Sequence, residues 1–136
     1  MTLPQLESVL TYRNAAVIKQ YCREHPGVSA EQAQQIFLDL LGLLWLSEQR
    51  RQRHLISPMI KPLEHLDHMW HVFILHTRFY TEFCQLHFNR YLHHEVDNDD
   101  VAPALSTEAL SAYLNDSFDL LGEDWVLRNF NNVLNP

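Results

Sequence analysis

Residues 36–54 read IFLDLLGLLWLSEQRRQRH. From Ile36 to Leu46 the apolar side chains fall at nearly every angle around a helix axis, and a helix that is apolar all round belongs in the middle of a fold. Upstream, Ser29 followed three residues later by Gln32 is a capping-box pattern, the usual start of such a helix. Downstream, Arg50, Arg51, Arg53 and His54 set cations against the negative end of the helix dipole on what reads as a solvated last turn; a phosphate or nucleic-acid contact is the other use of such a cluster. The apolar run is about eleven residues long and contains Asp39, short of the roughly 20 residues a bilayer span needs. The stretch predicts a central buried helix over about 30–53.

The rest of the chain repeats the helical period and shows no convincing alternating segment. Leu3, Leu6 and Leu10 form a first stripe, and Val17, Ile18, Tyr21 and Cys22 a second that stops at Pro26-Gly27. Ser57-Pro58 and Lys61-Pro62 bound a linker, after which the helical pattern runs from Leu63 to Phe88. Beyond the polar loop NRYLHHEVDNDD, residues 89–100, Ser106 caps a helix bearing Leu110, Tyr113, Leu114 and Leu121. Gly122 ends it, and Trp125, Val126, Phe130, Val133 and Leu134 make a last short one. No internal repeat is visible. The expectation is an all-α, compact single domain over 1–136, a bundle of five to seven helices.

Composition narrows the function classes. The 136 residues are 46% hydrophobic and 20% charged with three glycines, which excludes a disordered or collagen-like chain. The net charge of −7 counts against general nucleic-acid binding. That charge is uneven: residues 1–60 sum to +1 and residues 61–136 to −8. Two cysteines, Cys22 and Cys84, make no disulfide framework, and MTLPQLESVL has no signal-peptide pattern, so a reduced cytoplasmic setting is expected. Scattered glycines cannot build a phosphate-cradling loop or a nucleophile elbow. In the loop Asp97–Glu108, Val101 and Ala102 stand where a calcium-binding loop needs a ligand and a glycine, so it reads as a solvated acidic loop.

Seven of the nine histidines fall between His65 and His94. In LEHLDHMWHVFILHT, residues 63–77, Leu66, Met69, Trp70, Phe73 and Ile74 share the core side of a helix, while Asp67 and His71 lie one turn apart on the other side with His68 between. An aspartate at that spacing fixes an imidazole tautomer or shares a metal with it. A divalent zinc, iron or manganese site would use Asp67, His68 and His71, with His94 returning from the loop. The plainer alternative buries His71 at a helix contact, bonded to Asp67 and a backbone carbonyl. No HExxH or CxxC pattern is present. Leu66, Trp70, Phe73, Thr77, Tyr80, Cys84 and His87 keep the spacing of one continuous helix, yet Thr77 could cap a second one; only a turn there would bring Cys84 towards His71. Trp70, Tyr80 and Phe88 at helical spacing read as core before they read as a ligand pocket. Cys84 beside Phe83 and Leu86 reads as a buried, inert thiol.

The stretch LDHMWHVFILHTRFYTEFCQLHFNRYLHH, residues 66–94, resembles the core motif of the glycine-rich domain-containing protein-like family, at Asp67, Trp70, His71, His76, Tyr80, Cys84 and His94. It departs from that pattern at Asn89, where glycine is common, and at Glu95-Val96. The resemblance implies a helical fold, a break near Thr77 where plant relatives carry proline, and a site at these residues. It implies no established chemistry.

Two functions follow as expectations. One is a small cytoplasmic helical protein holding a divalent transition metal through Asp67, His68, His71 and His94. The other is an acidic interaction module, adaptor or inhibitor, with structural histidines and no catalysis. Its second half, Asp97, Asp99 and Asp100 included, would dock a basic partner. Neither involves a membrane.

Overall fold

The helix read from residues 36–54 runs through the centre of the molecule. In the computed structural model, which describes residues 3–94 and 106–131, it spans Ala30–Gln52 (α3), and α1 (Leu6–Val9), α2 (Ala15–Glu24), α4 (Glu64–Leu75) and α6 (Thr107–Leu121) pack on it. A short 3-10 turn, Lys61–Leu63, leads into α4; α5 (Thr77–Phe88) follows α4, and α7 (Glu123–Asn129) follows α6. The described residues thus form seven α-helices and no strand. None of these helices is long and apolar enough to cross a membrane. Asp97, Asp99, Asp100, Val101 and Ala102 of the acidic loop, the Glu95-Val96 departure, and Val133 and Leu134 lie outside the described residues.

Local signals set the helix starts. The Ser29 hydroxyl accepts from Gln32 N at 3.1 Å while the Gln32 side chain accepts from Ser29 N at 2.9 Å, closing the capping box. Asn14 caps α2 by accepting from Ala16 N and Val17 N, and Ser106 caps α6 through Ala109 N. Within α3, Phe37, Leu40, Leu41, Leu43, Leu44 and Leu46 are buried, each contributing roughly 1.5–3 kcal/mol of transfer free energy.

The end of α3 differs from expectation. Arg51, Arg53 and His54 are exposed, but Arg50 is buried: it donates to the Ile56 carbonyl and to Asp116 of α6, and its guanidinium lies 5.0 Å from the Tyr113 ring centroid. A carboxylate, a carbonyl and an aromatic face together offset the desolvation cost of burying the guanidinium, and through them Arg50 ties α3 to the linker and to α6.

Asp39, which interrupts the apolar run, has a comparable use. Its carboxylate accepts from Arg128 Nε (2.9 Å) and Nη2 (2.8 Å), Asn129 Nδ2 (3.1 Å) and Gln35 Nε2 (3.0 Å). Its backbone carbonyl accepts from the Trp125 indole at 3.1 Å. His65 Nε2 completes the network on Asn129 Oδ1 at 2.7 Å, joining α3, α4 and α7. Burial and ion pairing thus coincide at the only acid inside the apolar run.

The 63–88 pattern is two helices, broken at His76. His76 sits at φ −85°, ψ 67°, and its Nδ1 lies 3.0 Å from the Val72 carbonyl, satisfying an acceptor that the broken helix leaves open. His76, not Thr77, occupies the cap position of α5, with its carbonyl receiving Tyr80 N. At the other end of α5, Asn89 takes the left-handed conformation (φ 54°) that glycine usually fills, which asparagine tolerates better than most residues.

Candidate functional site

Because the helix breaks at His76, Tyr80 comes back to Trp70, which in a continuous helix would lie about 15 Å away along the axis. The Trp70 indole donates to the Tyr80 oxygen at 2.9 Å, and the Tyr80 hydroxyl donates to the Leu92 carbonyl. Burial pushes the Tyr80 hydroxyl far above its ordinary pKa, so it remains a donor throughout the physiological range. These bonds draw the segment after α5 across α4. There His94 Nε2 meets Asp67 Oδ1 at 2.5 Å, and the His94 ring stands edge-on to Trp70 with centroids 4.5 Å apart. Asp67 also borders a shallow cleft of about 320 Å³, shared with Met59, Ile60, Lys61 and Glu64.

Of the four expected metal-site residues, two come together. Asp67 and His94 form the pair; His68 is exposed and lies 3.7 Å from Glu64, and His71 is exposed with no bond to Asp67. The alternative in which His71 is buried is therefore also corrected. The physical reason is one of magnitude: an exposed i,i+4 pair is worth only about 0.2–0.5 kcal/mol. A charge-assisted hydrogen bond in partial shelter contributes roughly 1.5–3 kcal/mol. Asp67 turns to the sheltered imidazole. Among the described residues, no three His, Cys, Asp or Glu side chains converge on one position suited to a metal ion. Three more of the described histidines have separate tasks, His65 on Asn129, His76 on Val72, and His87 between the Phe83 and Tyr12 rings, where burial lowers its pKa.

Cys84 is buried against Tyr80 and Leu92. Burial raises its thiol pKa, so little thiolate is available. Iodoacetamide at pH 8 is therefore expected to modify the half-buried Cys22 of the folded protein well before Cys84, read by peptide mass spectrometry. Equal labelling of the two would show Cys84 to be accessible and ionised, contrary to this arrangement.

With that geometry established, a family model described as UCP032817-like matches residues 5–110. The chain belongs to the UCP032817-like family. This corrects the resemblance to the glycine-rich domain-containing protein-like family, which rested on residues 66–94 alone. The UCP032817-like match takes in α1 to α5, both members of the Asp67–His94 pair and the first residues of α6. No curated protein matches the chain. No solved structure matches it either.

The sequence did not expose the Trp70–Tyr80–Leu92 relay. Its signal was available in the Trp70 and Tyr80 pair, but only on the condition that the helix breaks between them. Also missed was Glu48, buried in α3, whose carboxylate accepts from Arg51 and from Arg90 of the segment after α5.

Proposed function

We propose that this UCP032817-like protein is a helical interaction module, with its histidine-rich segment acting as an internal clamp and its α6–α7 corner as the docking face for a basic, amphipathic partner. The observation that carries this reading is the composition of that corner's surface. Phe118, Leu120 and Leu127 are 52%, 37% and 47% exposed, and Asp119, Glu123 and Asp124 are exposed on the same two helices. Their charge is compensated only in part: Arg128, the only basic residue between 106 and 131, is engaged first by Asp39 and only secondarily by Asp124. Large exposed apolar side chains among acids suit a partner that brings apolar anchors and cations together, the acids speeding encounter and the anchors supplying affinity.

The test uses an amphipathic helical peptide of leucine and lysine. Binding is expected to weaken with added salt, and to fall about tenfold or more both in the joint variant Asp119→Asn, Glu123→Gln, Asp124→Asn and in the pair Phe118→Ser, Leu127→Ser, with circular dichroism unchanged. Binding that survives both sets of substitutions would defeat the proposal.

A second reading has one observation in its favour, the meeting of Asp67 Oδ1 and His94 Nε2. A divalent zinc, iron or manganese ion would take the place of the proton they share; among the described residues no third donor converges on the pair, so His68 or His71 would have to swing in to complete the site. Tag-free protein grown with the three metals would then carry about one ion per chain, lost in His94→Ala. Metal well below that ratio would remove this second reading.

A further inference from the structure

We propose that the groove between the ends of α3 and α5 binds a small aliphatic monocarboxylate, held at its charged end by Arg51 and Arg90. This inference does not depend on the docking face of α6–α7. The groove has a volume of about 440 Å³, and its lining includes Leu3, Pro4, Arg51, Leu86 and Arg90. Its outer wall is fixed in place, because the Trp45 indole donates to the Pro4 carbonyl at 2.8 Å.

The charged end is built on Glu48. This side chain is buried, and its carboxylate accepts from Arg90 Nη1 at 2.6 Å, from Arg51 Nη2 at 3.1 Å and from Arg51 Nε at 3.2 Å. Arg90 alone would neutralise the buried acid. Arg51 adds a second cation, so the cluster carries one net positive charge. The two guanidinium side chains remain 54% and 38% exposed, and Glu48 leaves N–H groups of both unclaimed. Two forks oriented by a single buried acid have already lost much of their rotamer freedom, which lowers the cost of binding an oxyanion.

The ligand class follows from charge and shape. One net positive charge matches a carboxylate. A phosphate monoester would bring a second negative charge close to the Glu48 carboxylate, which also lines the groove. His87 lines it too, and because burial lowers its pKa it adds no charge near neutral pH. The remaining wall is mixed, with Gln52 and Asn89 beside Leu3, Pro4, Leu86 and Phe88; Leu86, the most exposed large hydrophobic residue among those described, stands at its rim at 77% exposure. An aliphatic body of a few carbons would cover it.

The experiment is a titration of the full chain with hexanoate at pH 7, followed by amide chemical shifts. Saturable shifts are expected around Leu86–Arg90 and Arg51, with affinity falling about tenfold or more in Arg51→Gln. In that variant Glu48 keeps its bond to Arg90, so the fold is retained; Arg90→Gln, in which Arg51 holds Glu48, is expected to lose a similar factor. Hexanamide isolates the charge and inorganic phosphate isolates the apolar body. The absence of saturable shifts with hexanoate overturns the proposal, as does hexanamide binding equally well, phosphate binding more tightly, or unchanged affinity in both folded variants.

Discussion

Asp39→Ala is expected to cost about 2–4 kcal/mol of stability and to lower the melting temperature by roughly 8–15 °C, read by far-ultraviolet circular dichroism. Asp39 is only 4% exposed and accepts four side-chain hydrogen bonds, two of them from the Arg128 guanidinium. The pair also raises the pKa of Arg128, which therefore stays charged at every accessible pH. Truncation leaves the buried Asn129 amide facing an alanine methyl, with the Trp125 carbonyl as its remaining acceptor, while the Arg128 guanidinium, 41% exposed, loses its carboxylate but keeps access to water. The large effect comes from the partners left behind, not from the carboxylate itself. Asp39→Asn, which keeps one acceptor oxygen and the shape, is expected to lose distinctly less. If Asp39→Ala melts within about 2 °C of the wild type, the α3–α7 junction is not organised by this acid.

Phe73→Ala is expected to cost about 3–5 kcal/mol and to act on the candidate site as well. The Phe73 ring is fully buried and has the rings of Phe37, Tyr80 and Phe83 around it, at centroid distances of 5.2, 5.0 and 5.3 Å. Removing it opens a cavity where α3, α4 and α5 meet, and Tyr80 loses the surface against which it is packed. Tyr80 is the residue that holds the Leu92 carbonyl, so amide exchange at Leu92–His94 should accelerate more than exchange in α2. Phe73→Leu, which refills part of the volume, should recover some of both. A stability loss without faster exchange at Leu92–His94 would separate the core from the clamp.

The legible parts of the molecule were those encoded locally. A capping box, a helix apolar at every angle and a proline-bounded linker each need only a few consecutive residues, so α3 could be bounded almost to the residue. Asp39 could not be interpreted in that way: its partners Arg128 and Asn129 lie about 90 residues along the chain, and no helical period reports a contact at that separation. Arg50 was misplaced for the same reason, since Asp116 comes from α6. At the site, the spacing of Asp67 and His71 was correct as helix geometry but incomplete as energetics, because it took no account of His94 arriving 27 residues later. The sequence left open whether the segment breaks after His76. That choice turned out to govern everything downstream, since Trp70, Tyr80 and Leu92 meet only if it does. The family resemblance erred through its narrow basis, a motif of residues 66–94 against a match over 5–110.

Gly42 gives the α3–α7 junction a dimension as well as a charge. A methyl group placed there would lie 3.4 Å from Leu121 Cδ2 and 3.4 Å from Trp125 Nε1, just at contact, and a larger side chain would find that space taken. Position 42 therefore works as a spacer gauge between the central helix and the corner that carries Phe118 and Leu127. With the gauge at its minimum, any side chain bulkier than alanine at position 42 would have to lever the Leu121–Trp125 corner off the central helix.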